Sequence, residues 1–184
     1  MSKGKTQIYQ IKVTLRHIAP PVWRRIEVPA DIKLDKLHHI LQTVMGWTNS
    51  HMHAFRQGMV QYGTASRAFP DMFKNERTVR LDQLVGKGDK LIYEYDFGDG
   101  WEHDLKIEKA LAPEPRMRYP RCTAGKRACP PDDCGGPWGY EHLLEVLRDP
   151  KHEEHEEMRE WIGGDFNPEA LDIDDINLAL REVR

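Results

Sequence analysis

The sequence predicts an α+β fold: a single domain in which a mixed or antiparallel β-sheet packs against several α-helices, with a cysteine-, proline- and glycine-rich loop. Apolar residues alternate with polar ones in several segments, as in half-buried strands, and recur with helical spacing in others. The chain has 184 residues, of which 39% are hydrophobic, enough for one core of ordinary size. We therefore expect one domain over residues 1–184.

The N-terminal segment predicts two strands and a helix. Strict alternation over residues 7–17 is typical of a strand, and the pair Pro20-Pro21 indicates a turn before VWRRIEV runs back as its antiparallel partner. From Leu34 the apolar residues share one helical face, and Gly46 is placed to end this helix in the left-handed conformation.

The next segment predicts a strand and then a loop. In SHMHAFRQGMVQYG, the side chains of His51, His53 and Phe55 would share one face of a strand. Residues 63–80 are polar, contain Pro70 and show little periodicity, so we expect a long surface loop there.

A β-hairpin is predicted from LIYEYDF and WEHDLKIEK. A three-residue Gly-Asp-Gly loop would pair Phe97 with Trp101 and Tyr95 with His103, which places the His103 imidazole on the apolar face. A histidine there is either a neutral core residue bonded to a nearby tyrosine or carbonyl, or a ligand.

The C-terminal part predicts an irregular segment followed by three helices. Residues 112–139 are too rich in proline and glycine for regular structure. YEHLLEVLRDP and HEEHEEMREWI then read as two helices, and DDINLALREV as a third that begins around Asp174.

Composition limits the functional classes. A net charge of −3 and a pI near 6.3 argue against an overall electrostatic grip on nucleic acid. No run approaches the ~20 apolar residues of a membrane helix, and MSKGKTQIYQ lacks the apolar segment of a secretory signal. We expect a cytoplasmic protein without a membrane partner, with a monomer as a plausible state.

Three cysteines predict a candidate zinc site. Cys122, Cys129 and Cys134 have the spacing C-x6-C-x4-C, which supplies three of the four ligands that zinc normally takes. The fourth ligand would be His103, His142 or one of the pair His51 and His53, and His103 is our choice. The alternative is three buried, unreactive thiols.

A second candidate site would hold a divalent ion by oxygen and nitrogen atoms. Its residues are Asp96, Asp99, Asp132, Asp133, His51, His53 and His103. The alternative is ordinary turn chemistry, since aspartate between glycines is common in loops.

A basic cluster predicts a local nucleic-acid contact, with Tyr119 and Trp138 available for stacking. Its residues are Arg116, Arg118, Arg121, Lys126 and Arg127. The alternative is a solvated loop. Neither a kinase motif set around the Asp-Phe-Gly triplet nor a GxSxG elbow is present, so covalent catalysis is not favoured.

Four blocks of sequence together resemble the plasmid pRiA4b ORF-3-like family over almost the whole chain. They are GWTNSHMHAF, YEYDFGDGWEH, CPPDDCGGPWGYEHLLEVLRDP and HEEHEEMREW. The resemblance implies an α+β domain of prokaryotes found near plasmids and insertion elements, sometimes labelled a passenger or TnpR-like protein, with no established activity. Ser2, Ser50 and Ser66 are the only serines and lack the arginine-rich setting of a resolvase nucleophile, so recombination is not favoured.

The leading functional hypothesis is a non-enzymatic binding or accessory protein of mobile-element context, whose recognition surface joins the sheet face to the cysteine loop. The surface residues are His51, His53, Asp96, Asp99, Trp101, His103, Asp133, Trp138 and Tyr140. The rivals are a metal-dependent hydrolase or nuclease, and a nucleic-acid-binding accessory protein.

Overall fold

An eight-stranded sheet is the framework of the protein, for which a computed structural model describes residues 6–64 and 72–183. In chain order the strands are β1 (Ile8–Leu15), β2 (Trp23–Pro29), β3 (His53–Gln57), β4 (Val60–Gly63), β5 (Lys74–Asn75), β6 (Lys90–Tyr95), β7 (Trp101–Leu111) and β8 (Arg121–Lys126). Across the sheet their order is β5-β4-β3-β6-β7-β1-β2-β8, and only the pair β4 and β5 is parallel. The predicted mixed sheet is confirmed.

Four α-helices lie within the described ranges: α1 (Leu34–Met45), α2 (Gly136–Arg148), α3 (His155–Trp161) and α4 (Ile173–Leu180). The helix α1 ends at Gly46 in the left-handed conformation, as predicted. The helix α4 is capped by Asp172, two residues before the predicted start, because its carboxylate accepts hydrogen bonds from the backbone of α4. None of the described helices is both long and apolar enough to cross a membrane.

The core lies between α1 and one face of the sheet. Alternation along β1 buries Ile11 and Val13 completely, and Leu37 and Leu41 of α1 belong to the same cluster of buried residues. The period of two in the strands and the helical spacing in α1 therefore meet in one hydrophobic core, which is the α+β architecture that the sequence predicts.

The hairpin of β6 and β7 has the predicted faces but a different register. Tyr95 pairs with Trp101 and Tyr93 with His103, whereas the three-residue loop predicted Phe97 opposite Trp101 and Tyr95 opposite His103. The loop comprises residues 96–100 because β6 ends at Tyr95. The next residue, Asp96, has a left-handed φ of 55° and turns the chain out of the strand.

Two segments predicted to be irregular contain strands and a short helix. Within residues 63–80, Lys74–Asn75 forms β5 and Glu76–Thr78 a turn of 3-10 helix, while residues 65–71, with Pro70, lie outside the described residues. Within residues 112–139, β8 pairs with β2 and forms one edge of the sheet. Pairing with a distant strand overrides the turn-forming composition of this segment.

Candidate metal centre and polar cavity

Three loops meet where β3 begins and β6 ends. We call them the histidine loop (residues 46–52), the DFGDG loop (residues 96–100) and the CPPDDC loop (residues 129–134). They follow α1, join β6 to β7, and lie between β8 and α2, respectively. The backbone N–H of Asp96 donates to the carbonyl oxygen of Met52 at 2.8 Å, which joins the first two loops directly.

Asp96 shapes the DFGDG loop. Its left-handed backbone is one that aspartate tolerates better than most other residues. Its Oδ1 accepts hydrogen bonds from the backbone N–H groups of Gly98 at 2.9 Å and Asp99 at 3.4 Å. The second oxygen, Oδ2, lies 3.7 Å from Nε2 of His51. One carboxylate oxygen therefore closes the loop, and the other faces the histidine loop.

The CPPDDC loop is tied to both of the other loops. The backbone N–H and the hydroxyl of Thr48 donate to Oδ2 of Asp132 at 3.4 and 3.1 Å. The backbone N–H of Gly135, directly after the loop, donates to Oδ2 of Asp99 at 3.1 Å. Residues far apart in the sequence are therefore held together by direct hydrogen bonds.

Glycine is required where the DFGDG loop meets the start of α2. A Cβ atom at Gly136 would lie 2.3 Å from the backbone oxygen of Asp99, and one at Gly139 would lie 1.9 Å from the backbone oxygen of Cys134. No side chain fits at such separations. Two glycines of the CGGPWG block, Gly136 and Gly139, thus allow close backbone contacts with Asp99 and Cys134.

His51, Asp96 and Asp133 form the candidate metal centre. One ligand atom from each lies within 4.8 Å of the other two, and Nε2 of His51 is 3.0 Å from Oδ1 of Asp133. Within residues 6–64 and 72–183, no other group of three or more histidine, cysteine or acidic side chains has such a spacing. The side chain of Asp133 is 69% exposed, so the centre is open on that side.

The Nε2 atom of His51 is buried, yet no residue of the described ranges satisfies it by a hydrogen bond. Its 3.0 Å contact with Asp133 lacks the alignment of a hydrogen bond. A buried polar atom without a partner is unfavourable by about 1 to 3 kcal/mol. A metal ion between the two groups would satisfy this nitrogen.

A polar cavity of about 530 Å³ adjoins the histidine loop, within the size range of small-molecule sites. Residues of α1, the histidine loop, β3 and the 3-10 turn line it, among them His38, Asn49, His51, His53 and Glu76. The candidate metal ligand His51 is thus also part of the cavity wall.

A closed ring of hydrogen bonds forms part of this wall. The imidazole of His38 contacts the hydroxyl of Tyr93 through Nδ1 at 2.8 Å and Oδ1 of Asn49 through Nε2 at 2.7 Å. The amide of Gln42 donates to the Tyr93 hydroxyl at 2.9 Å and accepts from the Asn49 backbone N–H at 2.9 Å. Because Oδ1 of Asn49 only accepts, Nε2 of His38 carries the proton and the Tyr93 hydroxyl donates to Nδ1.

A second histidine of the cavity is held by a buried carboxylate. Nε2 of His53 lies 2.8 Å from Oε2 of Glu76, and the Thr64 hydroxyl donates to Oε1 at 2.9 Å. The rings of His53 and His38 stack with centroids 3.4 Å apart and an interplanar angle of 5°. His53 is therefore occupied by Glu76 and His38 rather than by the metal centre.

The charges of these groups follow from burial and from their partners. Burial, with His53 alongside, lowers the pKa of His38 to about 4. Burial would by itself raise the pKa of Glu76, but the hydrogen bonds from His53 and Thr64 outweigh it and lower that pKa. Burial raises the pKa of Tyr93. At neutral pH the cavity wall therefore contains a neutral His38 and an ionised Glu76.

Three residues of the predicted recognition surface are buried in the structure. The exposed fraction is 0% for Trp101, 0% for His103 and 1% for Tyr140. Nδ1 of His103 is 3.2 Å from the Tyr93 carbonyl oxygen, and burial lowers the pKa of this imidazole to about 4. The burial of His103 and its contact with the Tyr93 carbonyl support its interpretation as a core histidine.

The other residues of that surface divide into two places. His51, His53, Asp96, Asp99 and Asp133 belong to the loops, strand and cavity described above. Trp138 is 83% exposed in the first turn of α2 and lines a different hollow with His17. The structure therefore concentrates five of the nine predicted residues in one region.

Within the described residues, none of the three cysteines belongs to a group of three or more candidate ligand atoms that lie within 4.8 Å of one another. Sγ of Cys122 contacts a backbone oxygen of its own strand at 3.5 Å. Burial raises the pKa of Cys134 to about 12 and that of Cys129 well above its usual range. Burial therefore favours the protonated form of these two thiols.

The predicted nucleic-acid cluster is not a free basic patch. Arg121 pairs with Glu27 at 2.6 Å and with Glu114 at 3.2 Å. Arg127 is 4% exposed and its Nε lies 2.8 Å from Glu169. Internal carboxylates thus neutralise two of the five predicted cations. The exposed remainder is Arg116, Arg118 and Lys126.

The sequence prediction missed His38, Gln42, Asn49 and Glu76. One signal was available for two of them: His38 and Gln42 are four residues apart on the apolar face of α1, where a polar pair needs buried partners. No local signal marks Glu76, because it is buried by contacts with His53 of β3 and with Thr64, which follows β4.

Together, the fold and these loops define an α+β protein in which a candidate group of nitrogen and oxygen ligands borders a polar cavity. The chain belongs to the plasmid pRiA4b ORF-3-like protein family, whose profile matches residues 7–175. The family resemblance predicted from the sequence blocks is confirmed.

Two relatives extend this result. The chain is 42% identical over 179 residues to the uncharacterised protein y4hQ of Sinorhizobium fredii, covering 96% of this chain and 92% of that protein. It is also similar to the crystal structure of a protein of unknown function from Methanosarcina mazei Go1, with a TM-score of 0.86 and 38% identity. That match covers 94% of this chain and 98% of the other.

Proposed function

We propose that the protein binds a divalent metal ion through His51, Asp96 and Asp133 and uses it for metal-dependent binding of a small polar ligand in the adjoining cavity. The observation that carries this proposal is the convergence of one imidazole nitrogen and two carboxylate oxygens from three loops, within 4.8 Å of one another. It keeps the hypothesis of a binding or accessory protein and narrows its recognition surface to one region.

The donor set favours a first-row divalent metal. Carboxylate oxygens suit Mg²⁺, Mn²⁺ and Ca²⁺, whereas imidazole nitrogen suits Zn²⁺, Fe²⁺, Ni²⁺ and Cu²⁺. One nitrogen with two oxygens therefore fits Zn²⁺, Mn²⁺ and Fe²⁺ better than Mg²⁺ or Ca²⁺. Three protein ligands leave at least one coordination position for water or for an atom of a ligand.

The surrounding hydrogen bonds support metal binding because they orient the ligands in advance. The backbone N–H of Gly98 holds the Asp96 carboxylate, and the hydrogen bond from Thr48 to Asp132 holds the loop that carries Asp133. Such outer contacts typically change metal affinity by about 10- to 100-fold.

A metal-dependent hydrolase is the second candidate. The observation that favours it is the exposed side of the centre at Asp133, next to a cavity that could hold a substrate. A bound metal of this type lowers the pKa of a coordinated water and so supplies a nucleophile at neutral pH. His53 and His103, which the sequence suggested as metal ligands, contact Glu76 and the Tyr93 carbonyl instead.

Metal titration of the chelator-treated protein tests the proposal. We expect isothermal titration calorimetry with Zn²⁺ and Mn²⁺ to give one site per chain in the wild type and no measurable site in His51→Ala. The matched control is His142→Ala, which removes a histidine that also pairs with a carboxylate, at 3.1 Å, but lies on α2. It should bind like the wild type.

Two results would contradict this assignment. If the wild-type protein binds neither Zn²⁺ nor Mn²⁺, the proposed metal centre is wrong. If zinc binding persists in His51→Ala but is lost in Cys129→Ser, the cysteines and not His51 bind the metal. Hydrolysis of phosphoester substrates by metal-loaded wild type, absent in His51→Ala, would select the hydrolase over the binding protein.

A further inference from the structure

The ring of His38, Gln42, Asn49 and Tyr93 lies beside the candidate metal centre without contributing a metal ligand. Asn49 is two residues before His51, and its backbone has a left-handed φ of 57°. We propose that this ring positions His51 for metal binding. The inference rests on the proposed metal centre and adds to it four residues that act through the histidine loop.

The contacts of the histidine loop support a positioning role. The side chain of Thr48 and the side chain and backbone of Asn49 are bonded to other parts of the protein. The backbone N–H of Ser50 donates to the Tyr95 hydroxyl at 3.1 Å. Three consecutive residues before His51 are thus fixed to the CPPDDC loop, to α1 and to β6, respectively.

The ring closes on itself, so each member limits the freedom of the others. Asn49 contributes its side-chain oxygen to His38 and its backbone N–H to Gln42, both on α1. Tyr93 of β6 joins the same two residues from the sheet. The conformation of the histidine loop is therefore set by a helix and a strand of the core, which are rigid elements.

Metal affinity depends on this rigidity because a mobile ligand loses conformational entropy on binding. A loop already held in the bound conformation avoids that loss. The ring thus predicts that breaking it weakens metal binding even when His51, Asp96 and Asp133 are all intact.

Three variants and one control test the inference. Asn49→Gly removes the acceptor for His38 while keeping a backbone that adopts positive φ, and Asn49→Asp restores an acceptor at the same place. Gln42→Met breaks the ring from α1 without altering the loop sequence. The control, Asn75→Gly, removes another exposed asparagine oxygen, which accepts from the Arg77 backbone N–H at the 3-10 turn.

We expect Asn49→Gly and Gln42→Met to bind Zn²⁺ about 10- to 100-fold more weakly than the wild type by calorimetry. Asn49→Asp should recover most of the loss, and Asn75→Gly should bind like the wild type. Melting temperatures of the metal-free variants identify any variant that is unfolded. If one of Asn49→Gly and Gln42→Met is unfolded, the zinc affinity of the other tests the inference. Recovery in Asn49→Asp separates positioning from a general loss of stability.

Unchanged zinc affinity in a folded Asn49→Gly or Gln42→Met protein would overturn the inference while leaving the metal centre in place. Equal weakening in Asn75→Gly would also overturn it, because the effect would then be general. If the wild type binds no metal, the metal centre itself fails, and this inference fails with it.

Discussion

Single residues carry much of the site's chemistry because their surroundings fix their protonation. His38 and His103 are both neutral in the folded protein: burial lowers the pKa of each to about 4. The two nevertheless have different roles. His38 belongs to the wall of the cavity and to the hydrogen-bond ring, whereas His103 lies inside the core against a backbone carbonyl.

Acid should destabilise the protein through these two histidines. Their pKa values are about 4 when folded and near 6.5 when unfolded, so between these values the unfolded chain binds more protons. The free energy of unfolding therefore falls as the pH falls from 6.5 towards 4, by up to about 1.4 kcal/mol per pH unit for each histidine. Urea unfolding at several pH values measures this slope.

The exposed histidine of α2 provides the control for the acid effect. His142→Ala should keep the same slope of stability against pH. A free energy of unfolding that stays constant between pH 6.5 and 4.5 would contradict the assignment of neutral, buried imidazoles.

At the scale of elements, the candidate centre depends on how closely loops and helix ends approach. The DFGDG loop meets the N-terminus of α2 at Gly136, and the CPPDDC loop folds back over the first turn of the same helix at Gly139. These contacts give a physical reason for two glycines of the CPPDDCGGPWGY block, Gly136 and Gly139. They hold Asp96 and Asp133 at the same place.

Gly136→Ala should therefore destabilise the protein and weaken metal binding. The new Cβ would lie 2.3 Å from the Asp99 backbone oxygen, so one of the two loops must move. Overpacking of this kind costs about 1 to 3 kcal/mol, in addition to about 1 to 2 kcal/mol for a left-handed backbone. Urea unfolding and zinc titration measure the two effects.

Gly163→Ala is the matched variant for Gly136→Ala. Gly163 also has a positive φ, of 80°, but a Cβ there has no atom within 4 Å. Gly163→Ala should therefore lose only the stability that an alanine in the left-handed conformation costs, without the cost of overpacking. Equal loss of stability in the two variants would show that the close approach at Gly136 does not matter.

At the scale of the whole molecule, the sheet, α2 and the CPPDDC loop place all three cysteines against the core. Cys122 is buried on β8, and Cys129 and Cys134 pack on the core cluster from the loop. Burial raises the pKa of all three thiols, which lowers the fraction of reactive thiolate. The fold thus keeps the cysteines unreactive.

A thiol reagent should distinguish this arrangement from a zinc–cysteine site. At pH 7.5 we expect slow reaction of the chelator-treated, folded protein and complete reaction of three thiols per chain in guanidinium chloride. Zinc should leave the slow rate unchanged. Rapid reaction of the folded protein, or protection that appears only with zinc, would contradict burial as the cause.

The sequence could predict what depends on local pattern. Alternation identified β1 and the hairpin, and the Pro20-Pro21 turn indicated β2. Helical spacing and Gly46 identified α1, and four sequence blocks together identified the family. His51, Asp96 and Asp133 were all named as candidate ligands of a divalent ion, because histidine and aspartate are ligand types whatever their neighbours. Residue type and spacing were sufficient for these conclusions.

Only the tertiary structure decided which candidates meet. It separated His53 and His103 from the candidate metal centre and buried Trp101 and Tyr140. It also added His38, Gln42, Asn49 and Glu76 to the cavity and its supporting contacts. Each outcome depends on contacts between residues far apart in the chain, such as Thr48 with Asp132 and Asp99 with Gly135. A sequence determines which atoms are available as ligands and partners, whereas packing of the sheet, α1 and the three loops determines the distances between them.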